Sequence, residues 1–295
     1  MAYPTISGFY GLKPVNLVGG RVYSGSTRMI PIKEAYATSM FNGDVVQLAA
    51  GLLNYSAATA ATPAVVAGTI GVFVGAEYST TAGPIYGKNR WQYWQGATIA
   101  QDAVGYVVDD PQAVFKAAIG VQPVTTAINT CATNGYISPS FVGTNLSLVT
   151  ANTGSTATGD SAMCLTGIAP TVSSTVSGNL RTTGASPFRV VQLVSETAVS
   201  VSAVVGTGSS AATTFTASAG LAISPGMQVV YNVTGSGAMP GDYATVIGYV
   251  SATGVVTTAA NTTIPTGATV TFVGYAEAYV TWNFGYHSYM NATGV

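Results

Sequence analysis

Short apolar runs alternate with turn residues along most of the chain, and few positions follow a helical period. Ile70-Gly-Val-Phe-Val-Gly75 is a continuous apolar run of the kind that forms a buried strand. Glu77 to Pro84 reads as a loop, and Arg90-Trp-Gln-Tyr-Trp94 as an alternating strand. That alternation puts Trp91 and Tyr93 on one face and Gln92 and Trp94 on the other. Ala103 to Val108 is a strand stopped by Asp109-Asp110-Pro111, and Ala113 to Val121 is a further strand or a helical turn. Asp44 to Leu48 follows the turn Asn42-Gly43, and Phe188 to Val194 is apolar and β-branched. Ser140 to Thr150 and Asp160 to Gly167 are the only strand candidates in the Thr/Ser/Asn/Gly-rich stretch 122–185, and Thr150 to Gly159 is turn chemistry.

Three segments break this rhythm. Before residue 32, Pro4, Gly8, Gly11, Pro14, Gly19, Gly20 and Gly25 exclude a long helix. Arg21 to Ser24 and Met29 to Ile32 are short strand candidates, and the run from Leu12 to Pro31 reads as an extended arm or long loop. From Ala198 to Gly274 there is no Lys, Arg or His and one acid, Asp242. Strands are expected there around Val199–Val201 and at Met227 to Val233, Tyr243 to Val250, Val255 to Thr258 and Ala268 to Phe272. The last segment is aromatic again, with Val280, Trp282 and Phe284 on one face of a strand. It is expected to pair near Phe188 to Val194. The chain thus reads as all-β: a β-barrel or sandwich body, 1–197 completed by 275–295, with long extended arms and a small inserted β-sandwich or barrel module at 198–274.

Charge changes the picture. The 295 residues carry nine Lys or Arg and ten Asp or Glu, 6% against roughly 25% in an ordinary soluble domain. A compact monomer of 29.8 kDa exposes about 11,600 Å² by size scaling, so charges are about 600 Å² apart. So bare a surface suits a protein embedded in an assembly. All nine bases precede residue 190. Net charge is −1, which provides no basic footprint for nucleic acid. An apolar fraction of 48% excludes a disordered chain, and no apolar run approaches the ~20 residues of a spanning helix. Cys131 and Cys164 could pair, but Met1 to Pro14 lacks the basic start and apolar core of a signal peptide, so free thiols are the favoured expectation.

Candidate chemistry is sparse. His287 is the only histidine; it reads as a hydrogen-bonded strand residue rather than as a base, because no partner motif surrounds it. Asp109-Asp110 reads as a strand-ending Asx turn rather than a cation site. Phosphate-loop and metal-ligand spacings are lacking, so no catalytic, cofactor or metal residue is expected and the chain does not read as an enzyme. Arg90, Trp91, Tyr93 and Trp94 could be a sugar platform, an interface hot spot or core, with packing favoured over ligand binding. With Arg21 and Arg28 from the base-bearing half, they are the candidate interface residues.

A resemblance adds to this. Gly11-Leu-Lys-Pro-Val-Asn16, Gly25-Ser-Thr-Arg28, Ile30-Pro-Ile32, Ala37-Thr38, Phe41-Asn-Gly-Asp44, Tyr106-Val-Val-Asp-Asp-Pro111 and Asn291-Ala-Thr-Gly-Val295 resemble a family of virion proteins of tailed bacteriophages. The resemblance covers about 8–120, more loosely 140–195, and 275–295, and skips the module. It implies a capsid cement or decoration protein on the phage capsid surface. The implied partners are the major capsid protein and further copies of the chain as a homotrimer, with no cofactor, nucleic acid or membrane. A tail, fibre or spike component binding a host receptor or glycan is the alternative.

Overall fold

The computed structural model describes residues 9–56, 69–79, 88–121, 133–134, 141–149, 154–166, 187–194, 197, 200–231, 242–273, 277–283 and 285–290. The strands in chain order begin with β1 (Leu12–Leu17), β2 (Arg21–Val22), β3 (Arg28–Pro31), β4 (Val45–Ala49), β5 (Leu52–Tyr55), β6 (Thr69–Ser79) and β7 (Lys88–Trp91). Then come β8 (Val104–Val108), β9 (Ala113–Val121), β10 (Thr133–Asn134), β11 (Asn145–Leu146), β12 (Leu148–Val149), β13 (Cys164–Thr166) and β14 (Phe188–Leu193). The rest are β15 (Ser200–Val204), β16 (Ser209–Thr216), β17 (Gln228–Tyr231), β18 (Asp242–Val250), β19 (Val255–Ile264), β20 (Thr269–Val273) and β21 (Glu277–Trp282). A 3₁₀ turn lies at Ser288–Met290, and no α-helix occurs among the described residues. The protein is all-β.

Two sheets build the body. One runs β11-β14-β21-β9-β1-β2, with β10 and β13 added on the far half of β9. Its centre is β9: Phe115, Ala117 and Ile119 are buried on one face, and Val114 and Ala118 are buried on the other beside Lys116, which pairs with Glu277 at 2.9 Å. Trp282 on β21 lies opposite Phe188 on β14, their rings 4.6 Å apart, and Phe115 meets it edge-on at 6.0 Å. The other sheet runs β3-β8-β6-β4-β5, with β7 on β6. A parallel bridge from Ile32 to Leu53 draws its two ends together around Ile30, Val46, Ile70, Phe73, Trp94 and Val107. This curling buries one face without a second sheet. It also demands close approach: a Cβ on Gly71 would lie 2.1 Å from the Val108 carbonyl oxygen.

The third sheet, β15-β20-β17-β18-β19-β16, uses residues 200–273 alone and has its own core, including Phe215, Met227, Val229, Val246, Val256 and Phe272. Strand β18 serves two partners: Asp242–Thr245 pair with β17, and Val246–Val250 pair with β19. On either side of this segment Thr197 and Glu277 are joined, the Glu277 N–H donating to Thr197 Oγ1 at 3.2 Å. Strands β14 and β21, which flank it in sequence, are antiparallel neighbours.

Three sequence expectations are corrected. The run Leu12 to Pro31 is not a free arm. Leu12 is fully buried, β1 pairs with β9 from Leu12 to Leu17, and β3 pairs with β8. The Gly19-Gly20 turn, at φ 83° and 75°, folds β2 back onto β1. Glu77 to Ser79 belongs to a strand rather than a loop, because β7 pairs with Ala76 to Ser79. The 90–94 strand ends at Trp91. The chain bends at Gln92-Tyr93, so Gln92 is exposed while Trp94 is fully buried. Residues 1–8, Cys131 and Phe284 lie outside the described residues.

Candidate interface

The turn between β8 and β9 draws together segments that carry several exposed apolar side chains. Asp110 Oδ1 accepts the Gln112 N–H at 2.7 Å, and the Asp110 carbonyl accepts the Ala113 N–H at 3.0 Å. This is the Asx turn that Asp-Asp-Pro predicts. Around it the chain returns from three directions. Val18 donates its N–H to the Gln112 carbonyl at 2.8 Å, and Arg21 donates to the Gln112 side chain. Arg28 pairs with Asp109 at 3.6 Å and donates to the Tyr289 hydroxyl, which donates to Asp109 Oδ2 at 2.9 Å. Burial, then the Asp109 hydrogen bond, raises the Tyr289 pKa.

The segments that meet here carry exposed apolar side chains. Val22 is 80% and Met29 62% exposed; Val18 and Tyr289 are also exposed. Strand alternation explains Met29: Ile30 takes the inward position of β3, so Met29 faces outward. The motifs Gly25–Arg28 and Tyr106–Pro111, far apart in sequence, therefore meet through Arg28 and Asp109.

His287 supports this patch from beneath. It is fully buried, its Nδ1 accepts the Tyr289 N–H at 3.2 Å, and its ring packs edge-on to Trp282 at 5.3 Å. Burial holds its pKa below the usual value, against the opposing pull of the Ile70 carbonyl, Asp109 and Asp110. It is a neutral packing residue beside the Tyr289 ring.

The remaining candidates lie on the curled sheet. Arg90 on β7 donates to Glu77 Oε2 at 3.1 Å and to the Tyr106 hydroxyl at 3.0 Å, with its guanidinium 4.9 Å from the Tyr106 ring centroid. The Tyr106 and Arg90 hydrogen bonds hold the Glu77 carboxyl below its usual range. Trp91 is 41% exposed and stacks on Tyr78 at 5.9 Å. Tyr93 stacks on Phe41 at 5.5 Å. Trp94 is removed from the interface set: it is core, its Nε1–H donating to the Tyr36 carbonyl at 3.2 Å. The structure thus joins Arg21 and Arg28, groups Arg90 with Trp91, and buries Trp94.

Sequence reading missed Val22, Met29 and Tyr289, and it missed a polar knot. Lys13 Nζ donates to Asp160 Oδ1 at 2.6 Å, to Asn42 Oδ1 at 2.8 Å and to the Asn42 carbonyl at 3.1 Å. Behind it Asp44 is buried, accepting the Phe41 N–H at 2.7 Å and a hydrogen bond from Ser161. Two further resemblance motifs, Gly11–Asn16 and Phe41–Asp44, meet here. They tie β1 to the start of β4, which is a structural task. The free-thiol expectation is also corrected: Cys164 is buried and disulfide-bonded.

No group of three His, Cys, Asp or Glu among the described residues could hold a metal ion. None of their helices is long and apolar enough to cross a membrane. No known protein family, curated protein or solved structure matches this chain.

Proposed function

We propose that this chain is a structural protein of a tailed-bacteriophage particle, a cement or decoration subunit that bridges major capsid protein subunits and stabilises the head. The observation that carries the reading is the exposure of Val18, Val22, Met29 and Tyr289 on the segments that Arg21, Arg28 and the Asp109–Gln112 turn hold together. Apolar area left in water costs about 25 cal/mol per Å², and a partner recovers it. The two arginines are already held by Gln112, Asp109 and Tyr289, so docking freezes few rotamers. Low charge serves the same end. Nineteen charges over 13357 Å² is about one per 700 Å², so a large contact desolvates few ions. A homotrimer is the assembly proposed, because a three-fold position on a shell is filled by a closed ring of three copies. The resemblance of the 11–16, 25–28, 41–44 and 106–111 motifs supplies the particle.

Light scattering of the purified protein, alone and with emptied phage heads, tests this. The expected result is a trimer that binds shells and raises their melting temperature. The double variant Val22→Glu/Met29→Glu removes shell binding and leaves the thermal midpoint of the free protein unchanged, since both side chains are exposed. A monomer without shell affinity, or microscopy placing the chain only in the tail, overturns the reading.

A further inference from the structure

We propose that the rim formed by β7 is a glycan-binding site, with the Trp91 indole as platform for one neutral pyranose ring. This goes beyond the structural role above and uses a different surface. Three observations carry it.

First, the indole is exposed and rigid at once. Its lower face stacks on Tyr78 at 5.9 Å and 18°, and Tyr78 stands edge-on against buried Trp94 at 5.3 Å. A ladder of three rings anchors Trp91 into the core. A surface indole that cannot turn loses little entropy when a flat ligand lands on it.

Second, its surroundings are polar rather than apolar. All four residues of β7 are exposed, and Trp91 follows Lys88, Asn89 and Arg90. Tyr78 lies opposite Asn89 in the register, so Asn89 and Trp91, two apart, share its face. Gln92 follows, exposed, with one amide hydrogen on Asp160 Oδ1 at 3.3 Å and its remaining donor and acceptor capacity in hand. Its stem is held by Gly159, where a Cβ would approach the Gln92 Cβ to 2.8 Å. An exposed aromatic face with the Asn89 and Gln92 amides close by in the chain matches a sugar: axial C–H bonds on the indole, hydroxyls on amides.

Third, the charges nearest the indole are internally satisfied, and the exposed Lys88 stands at the far end of β7 on the face of Arg90 rather than that of Trp91. Arg90 is held by Glu77 at 3.1 Å, and Asp160 by Lys13 at 2.6 Å. Asp102 takes two hydrogen bonds from Ser79, at 2.6 and 3.0 Å. The Trp91 face thus offers a charged ligand little, which is why the proposal names neutral hexoses and acetamidohexoses rather than acidic sugars.

The test uses the full-length protein on an array of neutral glucose, galactose and N-acetylglucosamine oligosaccharides beside acidic glycans. A neutral hit is followed by tryptophan fluorescence. The chain has three tryptophans, and Trp94 and Trp282 are buried, so acrylamide quenching reports chiefly on Trp91. A neutral oligosaccharide is expected to bind in the millimolar range or tighter and to shield Trp91 from acrylamide. Trp91→Ala should weaken binding at least tenfold and Trp91→Tyr less. Gln92→Ala, a second variant at an exposed position, should weaken it several-fold. Val22→Glu/Met29→Glu should leave it unchanged, which separates this site from the shell contact. The proposal is overturned by an array with no neutral binder, by binding to acidic glycans alone, or by undiminished binding in Trp91→Ala. Loss of shell binding in Trp91→Ala also overturns it, because the rim would then be a protein contact.

Discussion

Replacing Asp44 with Asn should alter how stability depends on pH, and in a defined direction. Asp44 is 2% exposed, with two neutral donors, the Phe41 N–H at 2.7 Å and Ser161. The charged group facing it is Lys13, whose ammonium is already committed to Asp160 and Asn42; Tyr55 is its other titratable neighbour. Burial therefore dominates and pushes the carboxyl up from 3.8 to about 7. The ionised form is destabilised by folding, so stability from this group is present below pH 3.8 and lost as pH rises through about 7. A shift of about 3 units corresponds to about 4 kcal/mol. Asn keeps the acceptor oxygen and cannot ionise. The difference in stability between Asp44→Asn and the parent should grow by about 3 kcal/mol from pH 5 to pH 8, or on the order of 10 °C in thermal midpoint. Thermal melts followed by circular dichroism across that range measure it. His287, whose depressed pKa makes stability fall as pH drops below 6.5, acts the other way in both proteins and cancels in the difference. Parallel curves for the two proteins would refute the argument, since they would mean that Asp44 carries no folding-linked proton.

Two further outcomes probe the packing. Trp94→Ala, which empties a fully buried indole site beneath Tyr78, should cost about 3–5 kcal/mol by chemical denaturation; a loss below about 1 kcal/mol would contradict its core position. Gly71→Ala should cost about 3 kcal/mol, because the added Cβ meets the Val108 backbone 2.1 Å away and must part β6 from β8. Cys164 should resist alkylation until the protein is reduced, and Cys164→Ser should lower the thermal midpoint by a loss of about 2–4 kcal/mol. Ready labelling of Cys164 in unreduced protein would remove the disulfide from the account.

Local pattern and long-range contact divide this protein between them. Strand character is a property of neighbours a residue or two apart, so β9 is found at Ala113–Val121 as its apolar run predicts, and β21 lies on β14, near which the aromatic last segment is expected to pair. Strand β16 escaped notice because Ser209 to Thr216 carries one large apolar residue, Phe215; its partner β19 makes it a strand. The same holds for β1 to β3, where Gly and Pro suggested an arm and pairing with β9 and β8 formed sheet. Trp91 and Trp94 look alike in sequence. A bend at Gln92-Tyr93 sends one to solvent and the other into the core. The patch of Val18, Val22, Met29 and Tyr289 depends on contacts across as many as 261 positions, from Arg28 to Tyr289. Alternation and composition, which act through short-range sterics and the burial of every second residue, thus determined an all-β, charge-poor chain. Which apolar residues remained outside, and which polar ones met, was decided by the tertiary structure, because burial of a given face depends on what the rest of the chain lays over it.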